Sequence, residues 1–299
     1  MHVEMDLSVH TSNYSTALKS IEDLLEKIYS HLPAKLHHFA PDYFVLSSIL
    51  ENKQMWASHS YDMNDPSEIR YGSNLVIWRL IEMQRRYASR NIFQLNQFFE
   101  MALERANPYT NGFNGLPEPF VISLCEDGHS SSQWERYGNK GKGYCINFDI
   151  TKPTLTELQK NDLVLLKVIY DVRTQISLIN AAIQREVDHI LANQRDPYAM
   201  FMGLGASGAL YQLLLFYAIS FKSPDWSVEK EWRLVRGTNW LKEPIMPERR
   251  DKNGKEVRYT RINLDDFAYL NVHDISVGAN VLSSEADQVP ALLATFRKG

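Results

Sequence analysis

Residues 229–236 read Glu-Lys-Glu-Trp-Arg-Leu-Val-Arg. From Glu231 to Leu234 polar and apolar side chains alternate, the period of two that a strand with one wet face requires. Read as a strand from Glu229 to Arg236, the stretch sets Glu229, Glu231 and Arg233 on one face, with Trp232 and Leu234 on the other. Just downstream, Asp251-Lys252-Asn253-Gly254 has hairpin-turn chemistry, and Val257–Ile262 returns as a strand. His273–Val277 forms the last strand. Upstream, strands are expected at Lys35–Phe39, Gln54–Ser58, Phe120–Cys125, Tyr144–Phe148 and Leu163–Tyr170. Helical spacing places Leu18, Ile21, Leu25 and Ile28 on one face of a helix over 14–31, which Pro33 stops. Further helices are expected over Tyr43–Asn52, over 73–105 as one or two, as a turn at Gln133–Tyr137, and over Arg173–Gln194 and Ala209–Phe221. This order lacks the regular βαβ rhythm of a doubly wound sheet. The expected class is α+β, a mixed, mostly antiparallel sheet with flanking helices. A helical extension over 1–34 precedes a single domain over 35–299.

Composition narrows the function classes. The 299 residues are 44% hydrophobic and 23% charged, enough apolar surface for a core without metal or disulfide staples. A formal net charge of -4 gives no overall basic field for nucleic acid or an anionic membrane. Two cysteines, Cys125 and Cys145, are too few for a disulfide framework and fit a reducing cytoplasm. The start, MHVEMDLSVH, has no secretory pattern. Ala199–Phe221 is uncharged and of membrane-spanning length, but Gly203, Gly205, Gly208 and Gln212 favour a buried helix. The Gly138–Gly143 run is a turn, since its spacing does not make a phosphate loop. Gly203–Gly208 lacks the strand and acidic partner of a dinucleotide fingerprint. No cysteine or histidine spacing suggests a dedicated metal site.

Several segments carry a resemblance when taken in order. They are Leu36-His37-His38-Phe39, Leu46–Leu50, Trp56-Ala57-Ser58 and Asn64-Asp65-Pro66-Ser67-Glu68. They continue with Ser123-Leu124-Cys125, Trp134–Gly138, Gly143–Phe148 and Glu229–Val235, closed by Ile275–Gly278. From about Leu36 to Gly278 the chain resembles the bacterial family called domain of unknown function 2971, whose name implies no activity. A strand with His, a helix with Ile-Leu, a strand with Ser and a late Glu-x-Glu strand also resemble the skeleton of ADP-ribosyltransferases. That second resemblance implies an ADP-ribosyltransferase-like fold that uses NAD as substrate. It implies that His38 holds the ribose, Ser58 supports the nicotinamide pocket, Glu231 is catalytic and Glu229 assists. It further implies transfer to a protein or nucleic-acid acceptor, or hydrolysis of NAD, in a toxin or phage-defence setting.

The residues themselves leave other readings open. Arg233 is placed to meet a phosphate. Asn64 and Asp65 suit the NAD amide, or a cap and turn in which Glu68 completes a capping box. Trp134 and Tyr137 share a helical face and read as core. Ser123 is a further cleft candidate. Arg249, Arg250, Lys252, Lys255, Arg258 and Arg261 concentrate positive charge on one hairpin. A non-catalytic module touching nucleic acid there is the alternative to an NAD enzyme. A metal-dependent nuclease using Asp65, Glu68, Glu229 and Glu231 is the third.

Overall fold

A computed structural model describes residues 24–63, 67–106, 119–154, 157, 162–193, 210, 214–237, 245–252, 254–266 and 269–298. They divide into two compact units that alternate along the chain. One unit holds 28–64, 117–168 and 225–299; the other holds 65–116 and 169–224 together with the chain up to Lys27.

The first of these units is built on a nine-stranded sheet. Its strands are β1 (Lys35–Ala40), β2 (Gln54–His59), β3 (Phe120–Cys125), β4 (Tyr144–Ile150) and β5 (Leu163–Lys167). They continue as β6 (Glu231–Arg236), β7 (Glu248–Lys252), β8 (Lys255–Asn263) and β9 (Leu270–Val277). All their pairings are antiparallel, so the α+β, mostly antiparallel expectation holds. The main path runs β7-β8-β2-β3-β1-β4-β9, with β6 joined to β3 and β5 to β6.

That connectivity splits the sheet. β6 pairs along the whole of β3, from Phe120↔Arg236 to Cys125↔Glu231. A strand has two hydrogen-bonding edges, so β1 and β2 must share the other one. β2 takes Phe120 and Val121, β1 takes Cys125, and the edge between them is open at Ile122–Leu124. The helix that links the two lips is α1 (Tyr43–Asn52). The Asp42 side chain caps it by accepting from the Val45 amide, and Leu46, Ile49 and Leu50 bury at the expected helical spacing. The apolar face of the sheet carries Leu36, Ala40, Ile122, Leu124, Phe148, Trp232 and Leu234, all buried.

The helical unit contains α2 (Ser67–Tyr87), α3 (Phe93–Ala106), α5 (Val172–Ala192) and a helical run at 214–220. Leu80, Met83, Phe98, Phe99, Ile183 and Val187 form its core. Gly72 lies against the Ala218 carbonyl so closely that an added Cβ would stand 2.4 Å from the oxygen. The sheet unit also carries α4 (Ser131–Arg136), α6 (Ser283–Ala286) and α7 (Val289–Lys298).

Some boundaries differ from the sequence reading, and some fall outside the described residues. β5 ends at Lys167, and Ile169 makes an isolated parallel bridge to Phe221 instead of extending the strand to Tyr170. Of the helix over 14–31, only 24–29 lies among described helical residues. Much of Ala199–Phe221 falls outside the described residues, but 214–220 is a buried helix as expected. Among the described residues, no helix is long and apolar enough to cross a membrane.

Candidate active site

A further difference concerns the site. β6 starts at Glu231, not Glu229. Pro224–Glu229 is a 3-10 helix, and Lys230 turns the chain with φ 44°, a left-handed conformation uncommon outside glycine. Glu229 therefore does not share a strand face with Glu231 and Arg233. It is buried nonetheless, and its Oε1 accepts from Tyr137 Oη at 3.1 Å and from Arg136 Nη1 at 3.2 Å. Both carboxylates lie close enough to Cys125 to help raise its pKa, so the structure does bring them together, from two different elements.

Glu231 and Arg233 do share a face, and they face each other. Glu231 is 5% exposed and Arg233 is fully buried. Arg233 Nε donates to Glu231 Oε1 at 2.9 Å and Nη2 donates to Oε2 at 3.1 Å, a two-point clamp on the carboxylate. The Ser123 hydroxyl donates to the same Oε1 at 2.8 Å. A guanidinium held this way fixes Glu231, which is a different task from the phosphate contact suggested by its sequence position.

The two histidines divide as strand alternation requires. Cross-strand partners share a face, and His37↔Cys125 together with Cys125↔Glu231 put His37 on the face of Glu231. His37 is held there: Nδ1 bonds Asn147 Oδ1 at 2.7 Å, and Gly128 lies against its ring. His38 lies on the opposite face of β1, with Leu36 and Ala40, and reaches the open edge of β3 only through its ring. Its Nδ1 lies 3.0 Å from the Ser123 carbonyl oxygen. A carbonyl can only accept, so Nδ1 carries the proton and Nε2 of the neutral ring is an acceptor. Burial lowers the His38 pKa below its ordinary value, and the backbone bond to Ser123 offsets this only partly.

Ser123 thus touches both predicted residues, although their side chains come from opposite faces of the sheet and do not share one cleft as the sequence reading expected. Its carbonyl accepts from His38, and its hydroxyl donates to Glu231. The sequence offered one signal for this role: in Phe-Val-Ile-Ser-Leu-Cys it is the sole hydroxyl of an apolar strand. Ser58 pairs with Val121, so it lies on the same face as Ser123, and it is half-buried. Trp56, two residues earlier on that face, is 43% exposed. It stacks on Tyr259 at 4.6 Å and carries the Arg250 guanidinium 4.8 Å from its ring, a cluster the sequence reading did not assemble. Asn64 and Asp65 lie outside the described residues, as does the Glu68 side chain.

Trp134 packs edge-on against Phe39 as a core residue should, at 5.0 Å, and α4 thereby covers this end of the polar face. Tyr137 departs from the core reading: it is exposed, and its hydroxyl reaches Glu229. The Cys125 thiol is pushed up to about 12 by burial first and by neighbouring carboxylates, so it stays protonated and is a poor nucleophile. On the basic hairpin, Arg249 pairs with Glu256, Arg258 with Asp62 and Arg261 with Glu248. Those three cations are balanced within the fold.

Comparison with known proteins identifies one segment of this architecture. Residues 133–234 match the family described as Protein of unknown function (DUF2971). The family resemblance is shown over that stretch, which is less than half of the chain and carries no activity in its description. No curated protein matches the chain, and no solved structure does. The two ends of the DUF2971 stretch meet in space: Gln133 Nε2 donates to the Glu229 carbonyl at 3.3 Å, and Arg136 and Tyr137 hold the Glu229 carboxylate. The matched segment therefore contains both carboxylates of the candidate site and the Arg136, Tyr137 and Arg233 contacts that hold them, while Ser123 lies outside it.

Proposed function

We propose that the protein acts on NAD, breaking the nicotinamide–ribose bond and passing ADP-ribose to a protein or nucleic-acid acceptor, or to water. The observation that carries this reading is the bridge through Ser123, which ties a neutral His38 at the sheet split to the clamped carboxylate of Glu231. In this reaction the C1′–N1 bond breaks and its electron pair goes to the nicotinamide nitrogen, which loses its positive charge. The ribose carbon becomes an oxocarbenium-like cation, and the acceptor's lone pair closes on it. A carboxylate already oriented by Arg233 and Ser123 stabilises that cation without having to reorganise. Glu229 assists by taking the proton the acceptor loses. Ser58 lines the nicotinamide side on the face of Glu231, Arg233 positions Glu231, and His38, which comes from the opposite face, meets a ribose hydroxyl through the split at Ile122–Leu124 with Nε2 accepting.

The test is nicotinamide release by the full chain, with NAD binding followed by calorimetry. Glu231→Gln is expected to bind NAD and not turn it over, and His38→Ala to bind at least about tenfold more weakly, the loss of one hydrogen bond to the ligand. Glu231→Gln leaves a buried Arg233 without its partner. Ser123→Ala is therefore measured beside it and is expected to lower kcat more than it raises KM. Because the His38 pKa lies below 6.5, the ring stays neutral as pH falls through 6.5. NAD binding should hold level there and weaken only at more acidic pH, when protonation turns Nε2 from acceptor to donor. An absence of saturable NAD binding at millimolar concentration sinks the reading.

A further inference from the structure

The helical unit contains a groove of about 590 Å³ between α2 and α5. Arg79, Met83 and Arg86 line it from α2, and Arg173, Ile176 and Asn180 are among those that line it from α5. Spacings of three and four residues put each set on one helical face. No aspartate or glutamate is among the lining residues. Arg79 is only 7% exposed and is fixed in the floor, with Nε donating to Asn180 Oδ1 at 2.7 Å and Nη1 pairing with Glu82. Arg86 and Arg173 are exposed, and among the described residues neither has an ion pair.

The nearby carboxylates are engaged elsewhere. Glu82 holds Arg79, Asp171 caps α5 through the Thr174 amide and hydroxyl, and Asp188 accepts from Gln184 Nε2. Asp171 is near enough to Arg173 for each to feel the other's charge, but its oxygens are committed to the cap. The groove therefore combines two exposed guanidiniums, one buried guanidinium, and an apolar bed of Met83, Ile176 and Ala181. Paired forks of N–H donors match phosphoryl oxygens, and an apolar bed suits a base or ribose face. Its volume is that of a small-ligand site.

We propose that this groove binds a phosphate-bearing ligand of nucleotide size, held at its phosphate by Arg86 and Arg173. The site is distinct from the Ser123–Glu231 cluster and does not rest on the NAD reading. The experiment is calorimetric titration of the full chain with inorganic phosphate, with AMP and with a thymidine oligonucleotide, for the wild type, Arg86→Gln and Arg173→Gln. Both arginines are exposed, so the variants should melt with the wild type. AMP is expected to saturate, to bind more tightly than inorganic phosphate, and to lose about tenfold in affinity in each variant. If the oligonucleotide instead binds tighter than AMP, with steep salt dependence and the same loss in the variants, the phosphate is that of a nucleic-acid backbone. Failure of all three probes to saturate, or unchanged affinities in Arg86→Gln/Arg173→Gln, overturns the proposal. NAD also carries phosphates, so nicotinamide release is followed in that double variant. It should persist there, which separates failure at this groove from failure at Glu231.

Discussion

β6 and the β7–β8 hairpin belong to the same sheet and use the same chemistry, arginine against carboxylate, in opposite surroundings. In β6 the Glu231–Arg233 pair is sealed from water. On the hairpin, Arg249 and Glu256 are each 61% exposed, and Arg261–Glu248 is about as open. In sequence the hairpin draws the eye, because its cations crowd together, while β6 reads as an ordinary half-wet strand. In space the order reverses. Arg249, Arg258 and Arg261 of the hairpin find carboxylates across the strands and on Asp62, Arg250 lies over the Trp56 ring, and the fold encloses the charges of β6. Density of charge along a chain therefore says little about unbalanced charge in the molecule, and burial decides which pair has consequences.

If burial sets the scale, Arg233→Ala should give the largest effect of any single ion-pair change. It strands Glu231 in a dry site, which costs about 3–5 kcal/mol when one partner of a buried pair is removed. The urea midpoint of the variant should fall accordingly, and pairing Arg233→Met with Glu231→Gln should recover much of the loss, since no uncompensated charge then remains. A cost below about 1 kcal/mol would mean water reaches the pair, and the contrast with the hairpin would collapse.

The same contrast explains what was legible from sequence. Local signals worked where local physics decides. The Tyr43–Asn52 helix follows its apolar spacing, Phe120–Cys125 its apolar run, and the hairpin its Asp251–Gly254 turn, where Gly254 takes φ 78° and donates to Asp251. The start of β6 departs from the sequence reading because nothing in Glu-Lys-Glu marks Lys230 for a left-handed turn, where its amide closes on the Ser227 carbonyl and its carbonyl accepts from the Glu126 amide. Of the site, Glu231 and His38 were legible as types in a pattern. Their link through Ser123 was not, because it depends on β1 and β2 competing for one edge of β3. The Tyr137–Glu229 contact spans 92 positions and has no local signature.

Arg258 lies between the two extremes and tests the gradient. Its Nε and its backbone amide both donate to Asp62 Oδ2, at 2.8 and 2.9 Å, and the pair is partly buried. Burial alone would raise the Asp62 pKa, but the two hydrogen bonds and the nearby guanidinium outweigh it and lower the value below 3.8. A carboxylate with a depressed folded pKa adds stability above its unfolded value and loses it as pH falls through the folded one. Arg258→Ala should therefore cost about 1–2 kcal/mol at neutral pH, with the gap between variant and wild type closing below about pH 4. A gap that persists unchanged at pH 2 would assign the effect to lost packing of the arginine stem instead of to Asp62.

Arg249→Ala should do least. Its 2.6 Å contact with Glu256 is the shortest of the three hairpin pairs, which on geometry alone would suggest the strongest interaction. Exposure argues the other way. In water two unit charges at contact gain only about 1 kcal/mol before the entropy of ordering two long side chains is subtracted. The expected change is at most about 0.5 kcal/mol, and it should vanish in roughly molar salt, where the screening length falls to about 3 Å. Thermal melts of Arg249→Ala in low and high salt decide this. A loss as large as that of Arg258→Ala, or one that survives high salt, would show that contact distance, not burial, ranks these pairs. The priority given to β6 over the hairpin would then have to be withdrawn.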